Sequence, residues 1–355
     1  MKRSFAYAVV IGRFQPFHFG HLRLVEHALR HAERVIVVVG SDRQPRSYKN
    51  PFTFEERERM VRSSLRSTEQ ARVSVLGVAD SPYNDSIWIA SIQSAVDKQI
   101  AADGADPTTA TVALAGHVKD GSSYYLKLFP KWVFDGFENI ESLNATGIRA
   151  LYFEPDNRGQ LAADALPDGT SSFLEQFTRT IHYEALVTER AFLVDYQTKY
   201  RYAGSDFPPI FTTVDAVVVE AGYILLVQRK FHPGMGTWAL PGGFVGQQES
   251  LLDAAIRELK EETRLKVPVP VLRGSLKGQQ VFDDPGRSQR GRTITHAYFF
   301  ELTHNQWTGL SDVRAADDAR DARWVPISEF LHMQERMYED HYFIANHFLG
   351  GLGLQ

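Results

Sequence analysis

The spacing of acidic residues in the last third of the chain constrains its fold more than any other sequence feature. Gly243 is followed after five residues by Glu249, and seven more residues lead to Arg257-Glu258-Leu259-Lys260-Glu261-Glu262. On a helix, positions i, i+3 and i+4 share one face, so Glu258, Glu261 and Glu262 are expected to converge. Leu252 and Ile256 lie on the adjacent face and can anchor the helix in a core. The spacing therefore predicts a helix that presents three carboxylates beside a packed face.

Three clustered carboxylates repel one another unless a positive charge offsets them. The chain contains no cysteine, which excludes thiolate metal sites, disulfides and cysteine nucleophiles. Oxygen-rich sites suit Mg²⁺ or Mn²⁺, and these ions bridge a diphosphate and activate water. We expect Glu258, Glu261 and Glu262 to be metal ligands, with Glu261 and Glu262 also catalytic. Arg257 is expected to orient a glutamate by ion pairing, and Glu249 to cap the helix or pair with Arg257.

This spacing, with Trp238-Ala239-Leu240-Pro241-Gly242-Gly243 directly upstream, resembles the motif of the Nudix hydrolases. The resemblance implies an α/β/α sandwich with a mixed sheet and metal-dependent cleavage of a diphosphate. One position departs from the family pattern, because Arg264 stands where the family has glycine. That glycine normally ends the helix with a positive φ, and arginine in the same conformation costs about 1 kcal/mol. We therefore expect an altered helix end at Arg264 with the metal ligands retained.

A basic, turn-rich loop runs from Asp283 to Arg292, outside the Nudix motif. Arginine makes bidentate contacts with phosphate, so Arg287, Arg290 and Arg292 are expected to contact the substrate. The loop resembles loops in Nudix domains that act on ADP-ribose. A charged hairpin loop with no such role is the alternative.

Short apolar, β-rich runs alternate with helical segments in the first half of the chain. Strands are expected at Tyr7–Ile11, Val35–Val39, Val73–Val78, Val112–Ala115 and Trp132–Phe134. This alternation predicts βαβ units and a mostly parallel sheet, and near-continuous apolar runs fit strands that are buried on both faces. We therefore expect an N-terminal Rossmann-like α/β domain.

A glycine-containing loop joins the first strand of this domain to its first helix. It reads Gly12-Arg13-Phe14-Gln15-Pro16-Phe17-His18-Phe19-Gly20-His21. Loops at this position in α/β sheets bind phosphates, aided by the positive end of the helix dipole. His18 and His21 can donate to a phosphoryl group in transit, where charge builds up. A strand–turn–helix corner with purely structural histidines is the alternative.

The loop resembles the signature of the nucleotidylyltransferase superfamily, and more narrowly that of the archaeal-type nicotinamide mononucleotide (NMN) adenylyltransferases. Further matches follow in the family order over roughly residues 5–185, at Asn50-Pro51-Phe52-Thr53, Tyr83-Asn84-Asp85 with Trp88, and Asn144-Ala145-Thr146-Gly147-Ile148-Arg149. The resemblance implies that His18, His21 and Arg149 are catalytic. It also implies substrate binding by Gly12, Arg13, Phe14, Lys49, Asp85, Trp88, Asn144 and Thr146.

Physical chemistry suits several of these residues to their implied roles. Arg149 and Thr146 can hold the ATP phosphates, since arginine fits a phosphate with two parallel hydrogen bonds. Trp88 can stack on the cationic nicotinamide ring, although a core aromatic residue is an equal alternative. Asp85 can accept a hydrogen bond from the ribose or the carboxamide. Lys49 can face the triphosphate, or be an ordinary surface lysine.

Length and composition indicate the number of domains and the classes of partner that the chain can have. The 355 residues predict two domains, at 1–185 and 210–355, joined by a connecting helix and linker at 186–209. The net charge of −4 gives no reason to expect nucleic-acid binding. No apolar run reaches about 18 residues and the first residues lack a signal-type core, so we expect a cytoplasmic protein with no membrane partner. A homo-oligomer is compatible with the sequence.

The two motifs in this order resemble the family in which an NMN adenylyltransferase is fused to a Nudix ADP-ribose pyrophosphatase. The resemblance implies one activity that makes NAD from ATP and the mononucleotide, and a second that cleaves ADP-ribose to AMP and ribose 5-phosphate. Two alternatives stay open. One is another nucleotidylyltransferase with a Nudix domain for a different diphosphate, and the other is a Nudix domain that senses a ligand.

Overall fold

The computed structural model of the chain describes residues 3–117, 127–137, 143–154, 165–200, 208–303 and 309–350. The chain divides into two compact units, Met1–Val187 and Thr188–Gln355. The boundaries expected at 185 and 210 stay predictions. Most of the expected linker, 201–207, lies outside the described residues.

The N-terminal unit alternates strands and helices. Its elements are β1 (Phe5–Gly12), α1 (Phe19–His31), β2 (Ala32–Asp42), α2 (Phe54–Ser63), α3 (Ser67–Gln70), β3 (Val73–Ala79), α4 (Asp85–Ala102), β4 (Val112–Gly116), β5 (Val133–Gly136), α5 (Ala145–Tyr152) and α6 (Asp168–Phe177), followed by α7 (Ile181–Tyr200), which carries the boundary between the units.

The strands of this unit form one parallel sheet in the order β3-β2-β1-β4-β5. The central strands are buried on both faces because successive side chains enter two different cores. Val35 and Val37 of β2 pack into one core, and Ile36 and Val38 pack into the other. The predicted Rossmann-like parallel sheet is confirmed. Its carboxyl edge, where β1 and β4 end, is the place where such sheets bind ligands.

The C-terminal unit is built around a mixed sheet. Its elements are β6 (Phe211–Glu220), β7 (Tyr223–Arg229), β8 (Trp238–Ala239), β9 (Gly242–Phe244), α8 (Leu251–Thr263), α9 (Val269–Gly274), β10 (Leu276–Phe282), β11 (Thr293–Leu302), β12 (Ala319–Pro326), α10 (Ile327–Phe330) and α11 (His341–Gly350).

The seven-stranded sheet of this unit runs β10-β11-β6-β7-β12, with β8 beside β7 and β9 beside β6. The β6–β11 pair is parallel, whereas β6–β7, β7–β12 and β10–β11 are antiparallel. Phe300 of β11 packs with Leu259 of α8, while its neighbour Phe299 stacks on Phe348 of α11 at 5.6 Å. Helices therefore cover both faces, and the predicted sandwich with a mixed sheet is confirmed.

None of the helices in the described part of the chain is long and apolar enough to cross a membrane.

Candidate active sites

The loop between β1 and α1 depends on a glycine. A Cβ atom at Gly12 would lie 2.8 Å from the ring of Phe14, which is too close for any other residue. Phe14 has a left-handed φ of +52° and is buried, with its ring 4.8 Å from that of His21. Gly12 therefore lets Phe14 fold back over the strand end and pack against the histidine.

The two histidines of the loop lie against each other at the start of α1. The rings of His18 and His21 stack with centroids 3.6 Å apart, and the backbone N–H of His18 donates to Nδ1 of His21 at 3.3 Å. Burial, together with the neighbouring His18, lowers the pKa of His21 well below its ordinary range. His21 is therefore neutral at physiological pH. Because its Nδ1 accepts a hydrogen bond, its proton resides on Nε2 and can be donated to a phosphate oxygen.

The start of α5 supplies a second group of phosphate-binding residues. Asn144 caps the helix by accepting the N–H of Gly147 at 2.7 Å. Arg149 donates from Nη1 to the backbone oxygen of Gln15 at 2.8 Å and from Nη2 to Oγ1 of Thr146 at 3.3 Å. Burial lowers the pKa of Arg149 to about 10, so it stays a cation at neutral pH. These contacts fix the guanidinium beside the histidine loop.

A cavity of about 310 Å³ lies between these segments. It is lined by Arg13, Phe14, Gln15, His18, Gly20, His21, Leu24, Lys49, His117, Phe137, Leu143, Asn144, Ala145, Thr146 and Arg149. Arg13, Lys49 and Arg149 bring three positive charges, and none of the described lining residues is a carboxylate. The cavity therefore favours an anion such as a polyphosphate.

Three of the substrate-binding residues implied by the resemblance, Gly12, Asp85 and Trp88, are not among the residues that line this cavity. Asp85 is exposed at the start of α4. Trp88, one turn further on, packs at the edge of the core, with its ring tilted 61° to that of Phe129 at 6.3 Å. Their contacts with a nucleotide stay predictions.

Arg57 is a buried arginine whose role the sequence did not reveal. Its side chain donates to four backbone oxygens, those of Thr53 (3.1 Å), Arg13 (3.0 Å), Gly40 (2.6 Å) and Ser41 (3.2 Å). Burial lowers its pKa to about 10. Arg57 therefore ties the residue that follows β1 and the last residues of β2 to the start of α2, and so positions the rim of the cavity.

Gln15 and His117 are further cavity residues that the motifs did not mark for a role. The side-chain amide of Gln15 both donates to and accepts from the backbone of Phe52, at 3.0 Å in each direction. The Nδ1 of His117 lies 3.0 Å from the backbone oxygen of Phe137. A glutamine inside a loop motif and a histidine just after β4 are weak signals in a single sequence, and only the fold brings them to the same cavity.

In the C-terminal unit, two glycines of the motif allow close packing, Gly243 against a carboxylate of α8 and Gly242 against the backbone of β6. A Cβ atom at Gly243 would lie 2.6 Å from the carboxylate of Glu258. One at Gly242 would lie 2.2 Å from the backbone oxygen of Val214. The short strand β9 can therefore lie against both β6 and α8, with Glu258 at its surface.

Arg257 connects the glutamates of α8. It donates from Nε and Nη2 to Glu249 at 2.9 and 2.7 Å, and from Nη1 to Glu258 and Glu261, both at 2.8 Å. These bonds raise the pKa of Arg257, and they lower that of Glu249 to about 2. The expectation that Arg257 orients a glutamate by ion pairing is confirmed. Of the two roles expected for Glu249, pairing with Arg257 is the one observed, because Ser250 caps α8 by accepting the N–H of Asp253. Glu249 also accepts the N–H of Gly246, in the segment before the helix, at 2.7 Å.

The carboxylate of Glu262 is hydrogen-bonded to a backbone N–H, whereas those of Glu258 and Glu261 are bonded to Arg257. Its Oε2 accepts the N–H of Gly242 at 3.0 Å. Burial raises the pKa of Glu262 to about 8 and raises that of Glu258 as well. The ligand atoms of Glu258, Glu261 and Glu262 do not all lie within 4.8 Å of one another, in the part of the chain that is described. Their convergence is therefore incomplete, because Arg257 holds two of them and Gly242 holds the third.

The helix end at Arg264 differs from the expectation. Arg264 keeps the left-handed conformation, with φ +48° and ψ 27°, and its N–H donates to the oxygen of Lys260 at 3.0 Å. The predicted altered helix end is wrong. The neighbouring Thr263 supports the turn, since its buried Oγ1 accepts the N–H of Leu265 at 3.3 Å.

The three arginines of the Asp283–Arg292 loop have different surroundings. Arg287 is buried and makes a bidentate pair with Asp340, with both distances at 2.9 Å. Arg290 lies over the ring of Phe244, 5.1 Å from its centroid. Arg292 bonds to the backbone of its own loop. Substrate contact by these arginines stays a prediction, and the geometry suits Arg287 to holding the loop in place.

A buried histidine links α11 to the segment before β9. The Nδ1 of His341 accepts the N–H of Leu240 at 3.0 Å. Burial lowers the pKa of His341 to about 3. The charged groups that act on it are Asp215, Arg229, Arg287, Arg290 and Asp340.

Two family models match the chain, one in each unit. The NUDIX domain model matches residues 210–347, and the Cytidylyltransferase-like model matches residues 9–92. The fold and the two sites thus define a chain that combines a nucleotidylyltransferase-type domain with a Nudix domain.

Known relatives match each half and the whole chain. The nicotinamide/nicotinic acid mononucleotide adenylyltransferase of Acinetobacter baylyi is 40% identical over 184 residues, which are 52% of this chain and 92% of that protein. The ADP-ribose pyrophosphatase of Methanocaldococcus jannaschii is 34% identical over 115 residues, 32% of this chain and 61% of that protein. A bifunctional NMN adenylyltransferase/ADP ribose pyrophosphatase from Francisella tularensis, solved in complex with AMP and a manganese ion, is 36% identical with a TM-score of 0.89, over 98% of this chain and 99% of that one.

The chain belongs to the family of bifunctional NMN adenylyltransferase/ADP-ribose pyrophosphatases.

Proposed function

We propose that the protein is a bifunctional enzyme that makes NAD from ATP and NMN and hydrolyses ADP-ribose to AMP and ribose 5-phosphate. The observation that supports this most is a cavity lined by three basic residues in one compact unit and a helix with three clustered glutamates in the other, in a chain that matches a bifunctional relative along nearly its whole length.

In the N-terminal unit, the cationic cavity holds the triphosphate of ATP. An oxygen of the NMN phosphate attacks the α-phosphorus, the bond from that phosphorus to the bridging oxygen breaks, and pyrophosphate leaves. His21 donates from Nε2 to the phosphoryl group, and Arg149 and Lys49 offset the charge on the departing pyrophosphate. Reactions of this kind depend on positioning and charge stabilisation, which the fixed side chains of this loop and of α5 supply.

The carboxylates of α8 fit a hard divalent cation. All three candidate ligands offer oxygen, and burial raises the pKa values of Glu258 and Glu262, as expected for carboxylates that a cation would relieve. We assign Mg²⁺ or Mn²⁺ to Glu258, Glu261 and Glu262. When bound, the ion supplies positive charge that polarises the diphosphate and makes a nearby water more acidic.

The other residues of the Nudix site orient the reactants. Arg290 holds the diphosphate of ADP-ribose, and Arg287 keeps the loop in place through Asp340. Glu261 or Glu262 takes the proton of the attacking water, which adds to one phosphorus while the bridging P–O bond breaks.

One experiment tests both activities on a single preparation. The purified chain is incubated with ATP, NMN and Mg²⁺, and separately with ADP-ribose and Mg²⁺, and the products are separated by chromatography. We expect NAD with pyrophosphate in the first reaction and AMP with ribose 5-phosphate in the second. Binding of ADP-ribose without turnover would instead favour the ligand-sensing alternative for the Nudix unit. Turnover of other diphosphates only would favour a different Nudix specificity.

A further inference from the structure

A cluster of two histidines and one aspartate lies in the N-terminal unit, apart from the groups assigned above. His27 and His31 are one turn apart at the end of α1, and Asp135 lies on β5. The Oδ2 atom of Asp135 is 3.1 Å from Nε2 of His27 and 2.9 Å from Nδ1 of His31. Over the described ranges, this is the one group of three or more such side chains whose ligand atoms all lie within 4.8 Å of one another.

The contact between His31 and Asp135 is a hydrogen bond in the absence of an ion, and both distances are within about 0.4 Å of the ligand spacing around a tetrahedral metal ion. With metal–ligand bonds of about 2.0–2.1 Å, two ligand atoms of a tetrahedron lie about 3.3 Å apart. The side chains of His27 and Asp135 are each only 14% exposed, whereas that of His31 is 43% exposed. Two ligands are therefore fixed by packing, and the third faces solvent and leaves an entry path.

We propose that His27, His31 and Asp135 form a binding site for a transition-metal dication of the Zn²⁺ class. Two imidazoles and one carboxylate suit Zn²⁺, Co²⁺ or Ni²⁺, whereas the oxygen-only ligands of α8 suit Mg²⁺ or Mn²⁺. A water would complete a four-coordinate site. The single negative charge of Asp135 would partly neutralise the dication.

The position of the site indicates a structural role. β5 is a four-residue strand at the edge of the sheet, and Val133 and Phe134 are 56% and 44% exposed. The strand therefore gains little from hydrophobic burial, and a metal bridge to α1 would anchor it. Phe137, two residues after Asp135, packs against His27 at 5.4 Å and lines the nucleotide cavity. An ion at this site would thus hold one wall of that cavity in place.

Cobalt binding to the full-length, tag-free chain tests the proposal, after removal of metals with a chelator. A tetrahedral Co²⁺ site absorbs visible light strongly, whereas a six-coordinate oxygen site absorbs weakly, so the α8 carboxylates do not mask the signal. We expect one equivalent of strongly absorbing Co²⁺, which Zn²⁺ displaces. Zn²⁺ should also slow amide exchange in residues 133–136. Loss of an outer-shell partner alone weakens metal binding by about 10–100-fold, so His31→Ala should weaken it by at least about 100-fold.

Matched variants test whether the visible absorption of bound Co²⁺ comes from the site formed by His27, His31 and Asp135. Asp135→Asn keeps the size of the side chain and should remove the strong absorption without unfolding the chain, as checked by circular dichroism. His182→Ala removes an exposed histidine of α7, and Glu262→Gln alters the other metal site; both should keep the absorption. The proposal is overturned if the wild-type chain shows no strong absorption. It is equally overturned if folded His31→Ala and Asp135→Asn keep it.

Discussion

Replacing Arg57 with methionine should strongly destabilise the N-terminal unit. The guanidinium donates to four backbone oxygens, and methionine fills a similar volume without any donor. A hydrogen bond from a charged donor contributes about 1.5–3 kcal/mol, and the four do not add fully because the carbonyl groups relax together. We expect a loss of about 3–5 kcal/mol in the free energy of unfolding, the scale for breaking a buried charged network. Whole domains have only about 5–15 kcal/mol, so the loss is large.

The matched control is Arg62→Met on the same helix. The Arg62 side chain is 42% exposed and pairs with Glu58, so its loss should change the unfolding free energy by less than about 1 kcal/mol. Hydrogen exchange measured by mass spectrometry at increasing urea follows the peptides of each unit separately. In Arg57→Met, peptides of β1 and β2 should exchange at lower urea while those of α8 are unchanged. Equal behaviour of the two variants would refute the argument that Arg57 fixes the strand ends.

Four further outcomes are expected. His18→Ala or His21→Ala should each lower NAD formation by about 10²-fold or more, with ADP-ribose hydrolysis intact. An unchanged rate of NAD formation would show that these histidines do not take part in adenylyl transfer. Trp88→Ala should raise the KM for NMN more than that for ATP if the ring stacks on nicotinamide, and equal KM shifts would mark a structural tryptophan. Glu262→Gln should reduce ADP-ribose hydrolysis by orders of magnitude, partly restored by excess Mn²⁺, and full activity without added Mn²⁺ would contradict the metal assignment. Burial holds the pKa of His341 near 3, so the unfolded chain binds a proton that the folded chain does not, and stability falls as the pH drops below about 6.5. His341→Asn should lessen this loss by up to about 1.4 kcal/mol per pH unit in urea titrations, and an unchanged pH slope would disprove the assignment.

The sequence predicted those parts of the fold and sites that depend on local spacing. Apolar runs identified the parallel sheet, and the glutamate spacing identified α8 and its ion pairs. The histidine loop was located because its residues are contiguous. Each of these features has a period or a motif of its own, so a single sequence is enough to find it.

Features that depend on long-range packing were not predictable. Arg57 lies on the core face of α2, and only the fold shows that it reaches carbonyl groups at the carboxyl ends of two different strands. Arg287 is one arginine among several in a basic loop, and its buried partner Asp340 is 53 residues away. The error at Arg264 has a local cause. The average cost of a left-handed arginine did not include the support that Thr263 gives the turn.

The chain carries two compact units, each with its own core, and this fixes the ratio in which a cell makes the two catalytic centres. One messenger and one round of translation deliver the two catalytic centres in a ratio of one to one, however strongly the gene is expressed. A cell that raises its capacity to build the dinucleotide therefore raises its capacity to clear ADP-ribose by the same factor. Gene expression then leaves the ratio of the two centres unchanged, and the balance between the two reactions depends on what acts on each centre separately, such as its substrate levels.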